Sequence, residues 1–126
     1  MKKKIAILGS TGSIGKNLIE LINKKKNSYK IVLLSANRDH VNLFKQAKKF
    51  KVKNLIITDK VSYKILRNKT RNSNIRVFNN FEKINLIFKD KIDYTMSSIS
   101  GLDGLKPTID IIKFTKIIAV ANKEAI

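Results

Sequence analysis

The sequence predicts an α/β fold: a doubly wound, mainly parallel sheet with helices on both faces. Three observations lead there. Short β-branched runs alternate with longer amphipathic stretches along the whole chain. The short runs are almost continuously apolar, as strands covered on both faces are. Glycine loops follow the first run and a later one, where strand-to-helix turns belong. With 126 residues, 43% hydrophobic and 29% charged, the chain has the apolar content for one core, and a single domain over residues 1–126 is expected.

Residues 3–8 read as a buried strand, followed by a tight loop over 9–15. Ile14, Leu18, Leu21 and Ile22 then fall on one helical face, and this helix is expected to end near Asn23. Residues 29–35 form a second strand. Val41, Phe44, Ala47 and Lys48 give a helix with a narrow apolar stripe. Residues 54–58 are a third strand, and Asp59 is an N-cap for a helix carrying Val61, Tyr63 and Leu66. Residues 68–74 are polar and read as loop, and 75–78 as a short strand. Phe81, Ile84, Leu86 and Ile87 mark another helix. A strand at 92–97 leads into a second glycine loop at 98–104. Residues 105–114 form a helix with Pro107 in its first turn, where a missing N–H costs nothing. Residues 116–120 are the last strand. No closing helix follows, and the expectation is a truncated chain.

Composition excludes several classes. There is no cysteine, so no disulfide scaffold, thiolate metal site or cysteine nucleophile lies within these residues. One histidine leaves little for a zinc cluster. No apolar stretch approaches the ~18 residues of a membrane span, and the four-residue apolar run after Met1-Lys2-Lys3-Lys4 meets a glycine loop rather than a cleavage site. The expectation is a cytoplasmic protein without membrane association. The formal charge is +18, from 27 basic and 9 acidic residues, which raises a nucleic-acid reading. Against it, 23 of the basic residues are lysine and only 4 arginine, and the six Phe and three Tyr fall largely on predicted core faces. Twenty isoleucines and thirteen asparagines accompany the lysines, all residues of A- and T-rich codons. Genome composition therefore explains much of the charge, and the lysine runs at 2–4 and 24–26 read as solvated faces.

Gly9, Gly12 and Gly15 lie between a strand and a helix, a G-x-x-G-x-x-G variant of the dinucleotide fingerprint. Glycines there permit a sharp turn and close approach of the backbone to a pyrophosphate. The helix beginning near Ser13 offers unpaired N–H groups and a partial positive charge, and Ser10, Thr11 and Ser13 add hydroxyl donors. Lys16 and Asn17 do not fit a Walker loop. The bland alternative is a tight turn that binds nothing. At the end of the second strand stands Ser35, not an acid that would bond the ribose hydroxyls of NAD. Arg38 follows and can fork onto a 2′-phosphate, which favours NADP, although Asp39 beside it can also leave it as a surface arginine. Gly101 and Gly104 place a second loop at the carboxyl end of the sheet, either along a cofactor or as a simple turn. Asn122, Lys123 and Glu124 follow the last strand at the same edge. Lys123 suits an anionic substrate, and Asn122 and Glu124 can orient nicotinamide or substrate hydroxyls; an ordinary capping segment is the alternative. His40 has no matching acid and is assigned no role.

Three segments, Ile7-Leu8-Gly9-Ser10-Thr11-Gly12-Ser13-Ile14-Gly15, then residues 98–108 with Gly101, Gly104, Leu105, Pro107 and Thr108, then Ala119-Val120-Ala121-Asn122-Lys123-Glu124, resemble the amino-terminal part of the 1-deoxy-D-xylulose 5-phosphate reductoisomerases. The first is shared with other Rossmann-like proteins; the combination is specific. The resemblance implies a Rossmann-like domain of an enzyme that converts 1-deoxy-D-xylulose 5-phosphate to 2-C-methyl-D-erythritol 4-phosphate in non-mevalonate isoprenoid synthesis. It implies NADPH, a divalent Mg²⁺ or Mn²⁺, and a homodimer at full length. It carries Thr11, Gly12, Ser13 and Ile14 to the pyrophosphate side of NADPH. Ala36, Asn37, Arg38 and Asp39 go around the 2′-phosphate, Asn122 and Glu124 near NADPH, and Lys123 to the substrate. The family usually has glycine at position 37 and often asparagine at 39; Asn37 tolerates the left-handed conformation a glycine would take. Ala125 stands where serine is common. The family's metal ligands, substrate-phosphate site, flap and helical carboxyl-terminal domain have no counterpart here, so the chain would supply the cofactor cradle alone and no turnover. A nonenzymatic NADP-binding module, or another Rossmann oxidoreductase whose nucleophile lies elsewhere, are the alternatives.

Overall fold

The computed structural model describes residues 2–99 and 105–121. Among these residues six strands alternate with five helices: β1 (Lys3–Leu8), α1 (Ser13–Asn23), β2 (Tyr29–Ala36), α2 (His40–Lys49), β3 (Asn54–Ile57), α3 (Lys60–Lys69), β4 (Arg76–Phe78), α4 (Ile84–Ile87), β5 (Ile92–Ser97), α5 (Leu105–Ile111) and β6 (Thr115–Val120), with a 3₁₀ turn at Ile112–Phe114 before β6. The sheet order is β4-β3-β2-β1-β5-β6 and every neighbouring pair is parallel. The expected doubly wound sheet is thus present. Strands are added outward from β1 to β4, and the chain then crosses back to lay β5 on the other side of β1. The carboxyl ends of β1 and β5 form the switch point at which such sheets open a crevice.

Side chains alternate between two apolar layers. Ile5 and Ile7 of β1, with Leu55 and Ile57 of β3, meet Ile19, Leu43 and Leu66 from α1, α2 and α3. Ala6, Leu8 and Ile56 face the opposite layer with Phe81, Ile84, Phe88 and Ile111. Each fully buried Ile or Leu contributes about 1.5–3 kcal/mol. One register shift breaks the alternation. Ile5 pairs with Ile31 but Ala6 pairs with Leu33, so Val32 is an extra residue in β2. Ile31 and Leu34, three apart, therefore share a layer.

The helix faces differ from those expected. In α1 the buried positions are Gly15, Ile19 and Ile22, while Ile14 and Leu21 are exposed. Packing of Gly15 onto the preceding loop sets the rotation of this helix. In α2 the inward residues are Leu43 and Ala47, with Val41 outside. In α3 Ser62 turns inward to the Asp59 cap and Val61 is left out. Helix α3 also runs through Asn68 to Lys69, where loop was expected; Thr70 ends it by donating its hydroxyl to Leu66 O at 3.0 Å. The expected helix from Phe81 is only Ile84–Ile87, because Phe81 is drawn into the core from a turn. No helix among the described residues is long and apolar enough to cross a membrane.

Candidate functional site

The chain leaves β1 through Gly9 at a φ of +75°, a conformation that disfavours a side chain. The Gly9 N–H donates to both the carbonyl and the hydroxyl oxygen of Ser35, each at 3.1 Å, and the Ser10 N–H donates to Ser35 O at 2.9 Å. From the other side, Ser98 donates its hydroxyl to Gly9 O at 2.9 Å. Strands β2 and β5 thus hold the first turn between them. Ser35 is buried within β2 and works as a holder of this turn, which is why no acid stands there.

The three glycines have different reasons. A Cβ at Gly15 would lie 2.2 Å from Gly9 O and 2.6 Å from Ser10 Cα, so only glycine lets α1 seat against the loop. At Gly12 the backbone is ordinary, with φ −74° and ψ 173°, and among the described residues a Cβ would meet nothing nearer than Gly9 O at 3.7 Å. Nothing among the described residues requires glycine at position 12. Gly12 is the N-cap of α1, yet no side chain caps that helix and no acid stands in its first turn. Helices α2 and α3, by contrast, are capped by Asp39 and Asp59. Among the described residues, no side chain accepts from the first-turn N–H groups of α1, at the end where the helix dipole favours an anion.

The turn just ahead of them, through Gly9, Thr11 and Gly12, borders a cavity of about 570 Å³ at the switch point. Of the sequence-derived candidates, Thr11, Gly12, Ala36 and Asn37 line it, together with Gly9, Ser35, Thr58, Phe81, Ser98, Ile99 and Pro107. Ser13 and Ile14 open α1 directly after Gly12, and Ile14 is exposed. Arg38 follows Asn37 with its side chain 81% exposed; its Nε stands 3.9 Å from Asp59 Oδ1, a loose surface pair that leaves the guanidinium open.

One expectation is corrected. Ser10 is not a ligand donor: it is fully buried, and its hydroxyl is committed to Gln46 Oε1 at 2.8 Å. Asn37 does not adopt the left-handed conformation, which among the described non-glycine residues occurs only at Lys51. Instead Asn37 Oδ1 accepts the Thr58 hydroxyl at 2.8 Å and its carbonyl accepts the Asp59 N–H, tying the ends of β2 and β3 together. Asp39 caps α2 by accepting from the Asn42 N–H at 3.0 Å and the Asn42 amide at 2.7 Å. Burial pulls its carboxyl upward, but these donors, with Lys16 and His40 nearby, outweigh it and hold it below the usual value. Its charge is thus turned into the helix. His40 is the first residue of α2, with Nδ1 buried and unpartnered among the described residues. Asn122, Lys123, Glu124 and Ala125, and Gly101 and Gly104, lie outside the described residues. Strand β6 delivers Val120 to the same edge, opposite Ser97. Among the described residues, no group of three His, Asp or Glu could hold a metal ion.

Sheet order, crossover and glycine turn together define a Rossmann-type α/β domain. Comparison with known proteins narrows this. The profile of the 1-deoxy-D-xylulose 5-phosphate reductoisomerase family matches residues 5–126, and the chain belongs to that family. It is 55% identical over 126 residues to the Pelagibacter ubique 1-deoxy-D-xylulose 5-phosphate reductoisomerase, covering 98% of this chain and 32% of that protein. It is 37% identical to the Phocaeicola vulgatus protein of the same name, covering 100% and 33%. Among solved structures it superposes on the Zymomonas mobilis reductoisomerase in complex with NADPH with a TM-score of 0.87 and 31% identity, over 99% of this chain and 33% of that one. A structure of the enzyme with NADPH, fosmidomycin and magnesium gives 0.86 and 28%, over 98% and 31%. The chain spans about a third of the length of these relatives.

Proposed function

We propose that this chain is the NADPH-binding domain, residues 1–126, of an enzyme that converts 1-deoxy-D-xylulose 5-phosphate to 2-C-methyl-D-erythritol 4-phosphate in isoprenoid synthesis. The observation that carries the reading is Gly12: a glycine the fold leaves free to change, beside an uncapped helix end, on the wall of the cavity. A side chain there would fill the space a pyrophosphate needs.

The Thr11 and Ser13 hydroxyls and the first-turn amides of α1, with Ile14 beside them, take the pyrophosphate. Ala36 and Asn37 border the adenosine ribose, and Arg38 forks onto the 2′-phosphate, with Asp39 holding α2 behind it. Asn122 and Glu124 approach the nicotinamide end, and Lys123 pairs with the phosphorylated substrate. When bound, NADPH supplies the hydride for the reductive half of the conversion. Magnesium or manganese would be held by residues other than the described ones, among which no ligand set of three His, Asp or Glu occurs. The parent enzyme is a cytoplasmic homodimer without nucleic-acid or membrane partners, and this chain alone has no turnover.

The test is a fluorescence titration of the chain with NADPH and NADH. Saturable binding that prefers NADPH, lost in Arg38→Ala without a matching loss for NADH, supports the reading. Equal loss for both cofactors, or no saturable binding by the wild type, overturns it.

A further inference from the structure

Gln46 lies on α2, away from the cavity wall, yet both ends of its side-chain amide bond to the glycine loop. Gln46 Oε1 accepts the Ser10 hydroxyl at 2.8 Å, and Gln46 Nε2 donates to Ser10 O at 3.0 Å. With the Ser10 N–H on Ser35 O, every polar group of this buried residue is taken. We propose that Gln46 is a positioning residue that sets the direction of the Thr11 N–H, and so prepares the loop for the pyrophosphate; this rests on the reading that the loop holds NADPH.

The argument runs through one peptide plane. Ser10 O and the Thr11 N–H belong to the same trans peptide, so they point in opposite directions. By drawing Ser10 O toward α2, Gln46 turns the Thr11 N–H away from α2. Thr11 lines the cavity, and its N–H stands immediately before the uncapped start of α1. Without the Nε2 donor this plane has no anchor on its carbonyl side and is free to rotate. Asn42, one turn earlier on α2, bonds the Asp39 cap that follows Arg38. One helix therefore fixes both the loop and the segment carrying Arg38, at a set separation.

Three variants separate this from general stability. Gln46→Met keeps the volume and loses both bonds; Gln46→Glu keeps the acceptor for the Ser10 hydroxyl and loses the donor to Ser10 O; Ser10→Ala loses only the hydroxyl's contacts, to Gln46 Oε1 and, at 3.4 Å, to Ser35 O. In the ligand-free chain, ¹⁵N relaxation should show the Thr11 amide order parameter falling from roughly 0.85 to below about 0.6 in both Gln46 variants, and staying rigid in Ser10→Ala. NADPH affinity should fall about tenfold in both Gln46 variants, the worth of one charge-assisted hydrogen bond, and less than about threefold in Ser10→Ala. Adenosine 2′-monophosphate, which lacks the pyrophosphate, should bind all four proteins within about twofold. Gln46→Glu remains folded and readable if Gln46→Met does not. A rigid Thr11 amide in a folded Gln46 variant, or equal losses for NADPH and adenosine 2′-monophosphate, would overturn the proposal. Absence of NADPH binding by the wild type would sink the functional reading instead, while the relaxation data would still decide whether Gln46 holds the loop.

Discussion

Replacing Gly12 by serine should raise stability and lower cofactor affinity together. Gly12 is the N-cap of α1, and its extended backbone suits serine without strain. Among the described residues the new Cβ meets only Gly9 O at 3.7 Å, an ordinary contact. Serine is a better cap than glycine by a few tenths of a kcal/mol, because its hydroxyl accepts a first-turn N–H. For a chain of this length that is a rise of roughly 1–2 °C in Tm. The same hydroxyl takes an amide the pyrophosphate would use and intrudes on its space. Losing one or two charge-assisted hydrogen bonds, at about 1.5–3 kcal/mol each, weakens NADPH by at least about tenfold. Calorimetric unfolding and a fluorescence titration on one preparation read both effects. A serine variant that binds NADPH as tightly as the wild type would refute the argument that glycine stands there for a ligand.

Gly15→Ala should act oppositely, through the fold. Its Cβ would press into the Gly9 and Ser10 backbone, and overpacking of about 1–3 kcal/mol exceeds the ~1 kcal/mol gained in helix propensity, so thermal unfolding should show a lower Tm. Arg38→Ala should weaken NADPH by about tenfold and NADH by less than about twofold, measured by parallel titrations, because Arg38 is exposed and only loosely paired with Asp59. Acid should destabilise the chain. Burial opposes ionisation of Asp39 but the Asn42 donors prevail; Asp59 is held low by the Ser62 N–H and hydroxyl, and Asp93 by the Lys4 N–H and Lys116. All three carboxyls stay ionised to lower pH when folded, so their stabilisation is present in full above the ordinary carboxylate range, near pH 4, and is lost as pH falls through it. Unfolding followed from pH 7 to pH 3 should show that loss, and Asp39→Asn should reduce it.

Strand positions were legible because β-branched runs covered on both faces have few other places to go; the order of the strands in the sheet was not, since it depends on long-range pairing. Helix phase was less legible. Ile14 and Leu21 look like core residues of α1, but the helix must present Gly15 to the Gly9 turn, and that rotation sends both to the surface. Likewise nothing local marks Val32 as the extra residue of β2; it emerges only from pairing with β1. At the site, the sharp turn after β1 was readable from the glycine spacing, whereas the commitment of Ser10 was not. Its partner Gln46 is 36 residues away, on a helix whose periodicity says only that one face is apolar. Asp39 was read as a charge near a phosphate, and its position ahead of Asn42 makes it a cap as well.

The most direct measurement is a titration of the ¹⁵N-labelled chain with NADPH, following every backbone amide. Saturable shifts should be largest at residues 11–14 and 37–38, around the open end of α1 and the tip of β2. No saturable change there, or the largest changes along Lys26, Lys30 and Lys49 at the opposite rim of the sheet, would contradict the account.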